Sequence, residues 1–242
     1  MKQNTIGSWI TLGHPSIAEI MGNFKFDWLC VDMEHSAIDF FEAQQLIATI
    51  QSKGIKAYVR VGENNSRIIK RVLDSGADGI IVPMVKNKKE ALDAISSVNY
   101  PPIGTRGVGL ARAQDYGLSF EKYKNNKAKN IELIIQIEHI EAINNLEEII
   151  SLDGLDGTFI GPYDLSASMG KPGEFEDKEV VEALNKYKKI ALENDKNIGI
   201  HVISPDYNDV LTKKKEGYNF IAFSSDIIFL ADTIKNNMSN LK

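Results

Sequence analysis

The chain has 242 residues, 43% of them hydrophobic and 25% charged, with a formal net charge of −5 and no basic cluster. That length supports one sizeable core, and the acidic balance leaves no electrostatic footprint for nucleic acid or an anionic membrane. No apolar stretch approaches the roughly 18 residues of a membrane span, the lone Cys30 excludes an internal disulfide, and the start MKQNTIGSWITLGHP lacks the pattern of a signal peptide; a cytoplasmic protein is expected.

From the N-terminus, short apolar, β-branched runs recur at 6–12, 27–33, 55–61, 78–85, 131–138, 155–161, 197–203 and 219–225. Stretches with helical spacing lie between them, as at 40–54, 66–76 and 177–195. The repeated DSGADG, SLDGLDG and KEGYNF read as helices ending near glycine just before the next strand. Continuous apolar strands alternating with amphipathic helices indicate a parallel sheet covered by helices. Eight such units at this length predict an α/β fold, a closed (β/α)₈ barrel over residues 1–242 as a single domain, in preference to an open doubly wound sheet. The one long irregular segment, 99–120, is expected to be a structured loop at the mouth of the barrel.

In a (β/α)₈ barrel the chemistry sits at the C-terminal ends of the strands. Those ends carry Trp9 and His14, then Asp32-Met33-Glu34-His35, Arg60, Pro83, Gln136 and Glu138, Asp164, His201, and Ser224-Ser225. Polar residues gather there while strand starts and middles are apolar, which marks one end of the barrel as a site.

Glu138 and Asp164 close consecutive predicted strands, about 4.8 Å apart in a parallel sheet, so both carboxylates reach one point. Two hard oxygen donors without a cysteine or a close histidine pair suit Mg²⁺ or Mn²⁺ better than a structural zinc. The bland alternative makes Glu138 a surface acid and Asp164 an N-cap for LSASMG. Gln136 shares a strand face with Glu138, and Gly161-Pro162 allows close backbone approach, with free N–H groups at a helix start that suit a carboxylate. Asp32 and His35, three apart, suit a general base with its orienting carboxylate; the alternative is a capping aspartate and a solvent-facing histidine. Arg60 ends an apolar strand and must find an anion, either Glu63 or Asp32 in a structural pair or an oxyanion on a substrate. No strand interior carries a lysine, which weighs against a Schiff base, with Lys86 the one lysine near a strand end. Cys30 reads as core.

The blocks GSWITLGHP, FDWLCVDMEH, YVRVGENN, GADGIIVPMV, YPPIGTRGVG, IIQIEHIEAINNLEEI, GLDGTFIGPYDLSASMG and GYNFIAFSSDIIFL resemble, in order, those of the HpcH/HpaI aldolase family. These are class II, metal-dependent pyruvate aldolases of the phosphoenolpyruvate/pyruvate-binding TIM-barrel superfamily, and the match runs from about Ile6 to Leu230. The resemblance implies that Glu138 and Asp164 are metal ligands and that Gln136 binds substrate. It implies that Arg60 touches the pyruvyl oxygen and that His35 with Asp32 is the acid–base dyad. Gly161, Pro162 and Tyr163 match the cradle for the pyruvate carboxylate, and Trp9 falls in the N-terminal strand motif. Three positions depart from the common pattern: Met33 and Ser224 stand where Gly is frequent, and Tyr163 where Ala is. The loop after Arg106-Gly-Val-Gly109 reads shorter than in the heptenedioate-degrading members, which leaves the aldehyde open.

The expected activity is cleavage or synthesis of a 4-hydroxy-2-keto acid, giving pyruvate and an aldehyde, with a divalent ion (Mg²⁺ or Mn²⁺, Co²⁺ as a further candidate) as Lewis acid. The expected partners are these small molecules alone, with neither nucleic acid nor membrane, and the resemblance implies a homohexamer of dimers that exchange the C-terminal helix. The alternatives are a citryl/malyl-CoA lyase-like enzyme, which would need a basic groove for CoA phosphates, and a non-catalytic keto-acid-binding barrel, which would have no use for an acid–base pair. Pyruvate release from a panel of 4-hydroxy-2-keto acids separates the three.

Overall fold

The computed structural model describes residues 4–239 and 241. Each apolar run forms a strand: β1 (Thr5–Ile10), β2 (Trp28–Asp32), β3 (Lys56–Arg60), β4 (Gly79–Val82), β5 (Glu132–Ile137), β6 (Gly157–Ile160), β7 (Asn197–Val202) and β8 (Phe220–Ser225). Each pairs in parallel with the next, and β8 closes on β1, giving the expected (β/α)₈ barrel. The strands read as continuous apolar runs because both faces are buried. One face packs inside the barrel around Trp9, Trp28, Tyr58, Phe159 and Phe220. The other joins a larger core with the surrounding helices.

Glycine makes room for those interior rings. A Cβ on Gly7 would stand 2.0 Å from the Trp28 ring, so only glycine lets Trp28 lie flat across β1. Trp28 then stacks on Phe220, with ring centres 4.3 Å apart and planes 6° from parallel. These rings fill the barrel beneath the polar strand ends and exclude water from below the site.

The helices follow the sequence spacing. Phe40–Ser52 begins at Asp39, whose carboxylate accepts from the Phe41 and Glu42 N–H groups while Glu42 reaches back to the Asp39 N–H. Its inward stripe of Ala43, Leu46, Ile47 and Ile50 recurs at three- and four-residue steps and is fully covered.

The segment 99–120 is not where the sequence reading put it. It follows the helix Lys88–Val98 and leads into β5, so it lies at the end of the barrel opposite the mouth. Arg106, its side chain wholly buried, donates to Asp74 (2.9 Å) and to the Tyr123 hydroxyl (3.0 Å). Arg112 donates to the Ser75 carbonyl at 3.0 Å. Asp74 and Ser75 end the helix after β3, and helix C-termini in this fold face away from the site. The arginines read as mouth residues are therefore tethers at the base.

The last helix, Asp226–Ser239, is anchored at its start. The buried Asp226 carboxylate accepts from the N–H groups of Thr11, Leu12 and Ile227 and from the Thr11 hydroxyl. Beyond it Ile227, Leu230, Ile234 and Met238 stay exposed. Between this helix and Pro15–Met21 is an apolar cavity of about 670 Å³, lined by Ile17, Ile20, Phe24, Phe229 and Leu230 among others.

Candidate active site

Arg60 ends β3 beside Asp32, its register partner on β2. The guanidinium donates from Nε to Asp32 Oδ1 (2.9 Å) and from Nη2 to Oδ2 (2.6 Å), a planar fork on a planar carboxylate. Glu34 Oε2 lies 3.3 Å from Nε, and the Trp9 ring centre is 4.5 Å from the Arg60 carbon. Burial works against both charges. The Arg60 partner nonetheless holds the Asp32 carboxyl below its ordinary value, and Asp32 raises the guanidinium pKa above its own. Of the two structural partners considered for Arg60, Asp32 is the one engaged. The Nη1 amine is bound by neither carboxylate.

The side-chain pairing of His35 with Asp32 is not formed. The Asp32 Oδ1 accepts from the backbone N–H of Glu34 (3.0 Å) and of His35 (3.2 Å), and Arg60 fills the rest of that carboxylate. The His35 imidazole is 68% exposed, with Nε2 3.8 Å from Glu34 Oε2. Spacing alone suggested contact between the two side chains, but the chain turns after β2 and brings the His35 backbone, not its ring, to Asp32.

Glu138 stands one residue past β5 and is buried. Its Oε1 accepts from Gln136 Nε2 at 2.7 Å, as the shared strand face required, and its Oε2 accepts from the Met84 N–H at 3.3 Å. Met84 aims that N–H from a left-handed backbone (φ 54°). A Cβ at Gly161 would be 2.7 Å from Glu138 Oε1, so the glycine leaves the space the carboxylate occupies. Burial, and then the charges of Glu34 and Asp164, push the Glu138 pKa up to about 7.

Asp164 is not a helix cap. The helix Pro162–Ser168 is capped at Gly161 without a side-chain bond, and Asp164 lies in its first turn. Its exposed carboxylate lines the same cavity as Trp9, Arg60, Gln136, Glu138 and Tyr163. Gly161, Pro162 and Phe159 line that cavity too.

Glu34 is the group that sequence reasoning passed over. It is largely buried, its Oε2 has no hydrogen-bond partner, and burial raises its pKa, with Asp32 and Asp164 adding to the shift and Arg60 opposing it. The second acid of DMEH was the available signal. Gln136 Oε1 is likewise buried without a partner. Carboxylates gathered against their own repulsion, beside an orphaned acceptor, fit a cation supplied from outside the chain. Among the described residues no three His, Cys, Asp or Glu side chains form a ready ligand group.

The chain matches the HpcH/HpaI aldolase/citrate lyase family over residues 5–232. A hydroxypyruvate/pyruvate aldolase of Sagittula stellata is 36% identical over 93% of this chain and 88% of its own. A 2-dehydro-3,6-dideoxy-6-sulfogluconate aldolase of Pseudomonas putida is 35% identical over 98% of this chain and 92% of its own. The crystal structure of an HpcH/HpaI aldolase/citrate lyase family protein from Burkholderia cenocepacia J2315 superposes with a TM-score of 0.92, at 27% identity, covering 99% of this chain and 95% of that one. The chain belongs to the HpcH/HpaI aldolase/citrate lyase family. It is a carbon–carbon lyase of the pyruvate aldolase class.

Around this cavity the remaining histidines have structural roles. His14 and His139 each cap a helix, accepting at Nδ1 from Ser16 and Glu141. His201 is half-buried under Trp9, bonded through Nε2 to the Ser224 carbonyl, and burial lowers its pKa to about 4, so it is a neutral wall. Ser224, where relatives were expected to carry glycine, has a left-handed backbone (φ 52°). Cys30 is core, as expected. No helix among the described residues is long and apolar enough to cross a membrane.

Proposed function

We propose that this aldolase converts 4-hydroxy-2-keto acids to pyruvate and an aldehyde, or the reverse, with the whole chain acting as one barrel domain. The observation that carries the reading is the convergence of Arg60, Gln136, Glu138 and Asp164 on one cavity at the strand ends. Glu138 and Asp164 would hold a divalent ion, Mg²⁺ or Mn²⁺ first and Co²⁺ next, and when bound it supplies Lewis-acid polarisation of the keto acid.

The chain's own groups account for the rest. Arg60, its plane fixed by Asp32 and Trp9, directs Nη1 toward the enolate oxygen as charge develops there. Gln136 Oε1, without a partner in the protein, accepts from the bound substrate or its water. The free N–H groups of Tyr163 and Asp164, in the first turn of Pro162–Ser168, receive the keto-acid carboxylate in the cradle formed with Gly161 and Pro162, since the Gly161 N–H donates to the Ile137 carbonyl. His35 exchanges the C4 hydroxyl proton through water, with Glu34 rather than Asp32 as the carboxylate facing its ring. Asp32 acts as the positioning residue for Arg60. In cleavage the C3–C4 bond breaks, its electron pair staying on the pyruvate carbon, which then takes a proton. The small keto-acid substrates and the buried lone thiol suit a cytoplasmic enzyme.

The assembly belongs to the same proposal. The exposed apolar side of Asp226–Ser239 and the open apolar cavity beside it support subunits that exchange this helix, within a homohexamer of dimers.

Pyruvate release from a panel of 4-hydroxy-2-keto acids by metal-loaded protein tests the activity. Turnover of at least one member is expected. Cleavage of acyl-CoA substrates alone would contradict it.

A further inference from the structure

We infer that the acceptor side of this site takes an uncharged aldehyde with an apolar chain; the inference rests on the aldolase reading above and refines it. It comes from the upper wall of the cavity, which the keto-acid chemistry leaves unused. That cavity, about 780 Å³, rises from Trp9 and Phe159 past Glu138 and Asp164 to Tyr163, Phe175 and Ile203. These last three are large apolar or aromatic side chains left 59%, 46% and 62% exposed. Side chains of this kind gathered at a cavity mouth mark a place where an apolar ligand is covered.

The rings are held in place. Tyr163 and Phe175 meet edge to face, ring centres 6.4 Å apart. Gly173, at φ 78°, passes so close that a Cβ there would stand 3.3 Å from the Tyr163 ring. The Ser166 hydroxyl donates to the Tyr163 carbonyl (2.7 Å) and accepts from the Gly173 N–H (3.0 Å). Lys171 is fixed to Asp177 and Glu179 at 2.7 Å each. The loop after the helix Pro162–Ser168 therefore presents Phe175 as a built wall.

Charge points the same way. Glu138 and Asp164 line the cavity, with Glu34 close enough to act on Glu138, and a divalent ion on the pair would be balanced by that pair. Arg60 is engaged by Asp32 and Glu34. Among the described residues, the only lysines lining the cavity are Lys188 and Lys213, and both face Glu216, at 3.7 and 3.0 Å. A carboxylate or sulfonate on the aldehyde would lose its water next to acids and meet no free cation. An alkyl or aryl chain costs nothing of that kind and covers the exposed rings.

The step needs no co-reactant. The C3 electron pair of the pyruvate enolate forms the bond to the aldehyde carbon, the carbonyl π pair moves to its oxygen, and that oxygen takes one proton.

The experiment compares two acceptors of nearly equal shape, 4-methylpentanal and 4-oxobutanoate, in aldol addition of pyruvate by the metal-loaded full chain. The expected ratio of kcat/KM favours 4-methylpentanal by roughly 10-fold or more. Phe175→Arg, which places a cation on the wall, should move that ratio toward 4-oxobutanoate by about 10-fold. Being a ratio, this readout does not depend on the amount of folded variant. Equal use of the two aldehydes, or preference for 4-oxobutanoate, with pyruvate methyl-proton exchange in D₂O still running, would overturn the acceptor class and leave the aldolase reading intact. A ratio unmoved by Phe175→Arg would also overturn it. Loss of both exchange and addition in the wild-type protein would remove the underlying reading and this inference with it.

Discussion

At the scale of single residues, the site is organised around charges the fold concentrates at one point. Arg60→Lys keeps the cation but loses the planar fork on Asp32. Turnover is expected to fall roughly 10²–10³-fold, the scale of one lost oxyanion donor, with fold and metal binding retained. Near-normal turnover would reduce Arg60 to an ion-pair partner. His201 gives a pH signature. Its pKa is lowered from 6.5 to about 4 by burial, so between those values the unfolded chain takes up a proton that the folded one refuses. The stabilisation present above pH 6.5 is therefore lost as pH falls toward 4, on the order of 3 kcal/mol over the window. Denaturant titrations at pH 7 and pH 4.5 should show a smaller acid loss in His201→Gln, and an equal loss would mean that His201 is already protonated in the fold. Sequence spacing put Gln136 beside Glu138 and offered Asp32 as a partner for Arg60, because a strand's period of two and adjacent strand ends fix who meets whom. It misread His35 because residues after a strand end obey turn geometry, and there the Asp32 carboxylate bonds backbone. Phe175 gave no signal, lying in a loop whose position depends on Gly173 and Ser166.

At the scale of elements, β-branched runs with both faces buried made every strand of the barrel legible, and the glycine stops marked where helices ended. The segment 99–120 was read by composition alone, and its arginines look the same in sequence at either end of a barrel. What places it is chain order: it follows a helix, so it lies at the base. Arg106→Ala should cost on the order of 3 kcal/mol of stability by leaving Asp74 without its buried partner, read as a shift in the denaturation midpoint. A change below about 0.5 kcal/mol would mean the tether is replaced by solvent. The helix Asp226–Ser239 is the converse case. Its apolar stripe was legible, and its lack of cover within the chain was not, because an amphipathic stripe does not say which subunit buries it.

At the scale of the whole molecule, that uncovered stripe predicts association. Light scattering at micromolar concentration should give a hexamer, and Leu230→Asp, which puts a charge on the stripe, should release smaller species. A wild-type monomer would reject the exchanged assembly. The central claim, that the molecule enolises pyruvate at the Arg60–Glu138–Asp164 end of its barrel, has a more direct test that needs no knowledge of the aldehyde. Metal-loaded protein in D₂O should exchange the methyl protons of pyruvate as followed by NMR. Exchange should stop with EDTA, return with Mn²⁺, Co²⁺ or Mg²⁺, and be abolished in Glu138→Gln and in Asp164→Asn, each of which removes one ligand charge. No exchange over hours in the metal-loaded wild-type protein, or exchange that survives EDTA, would contradict the account.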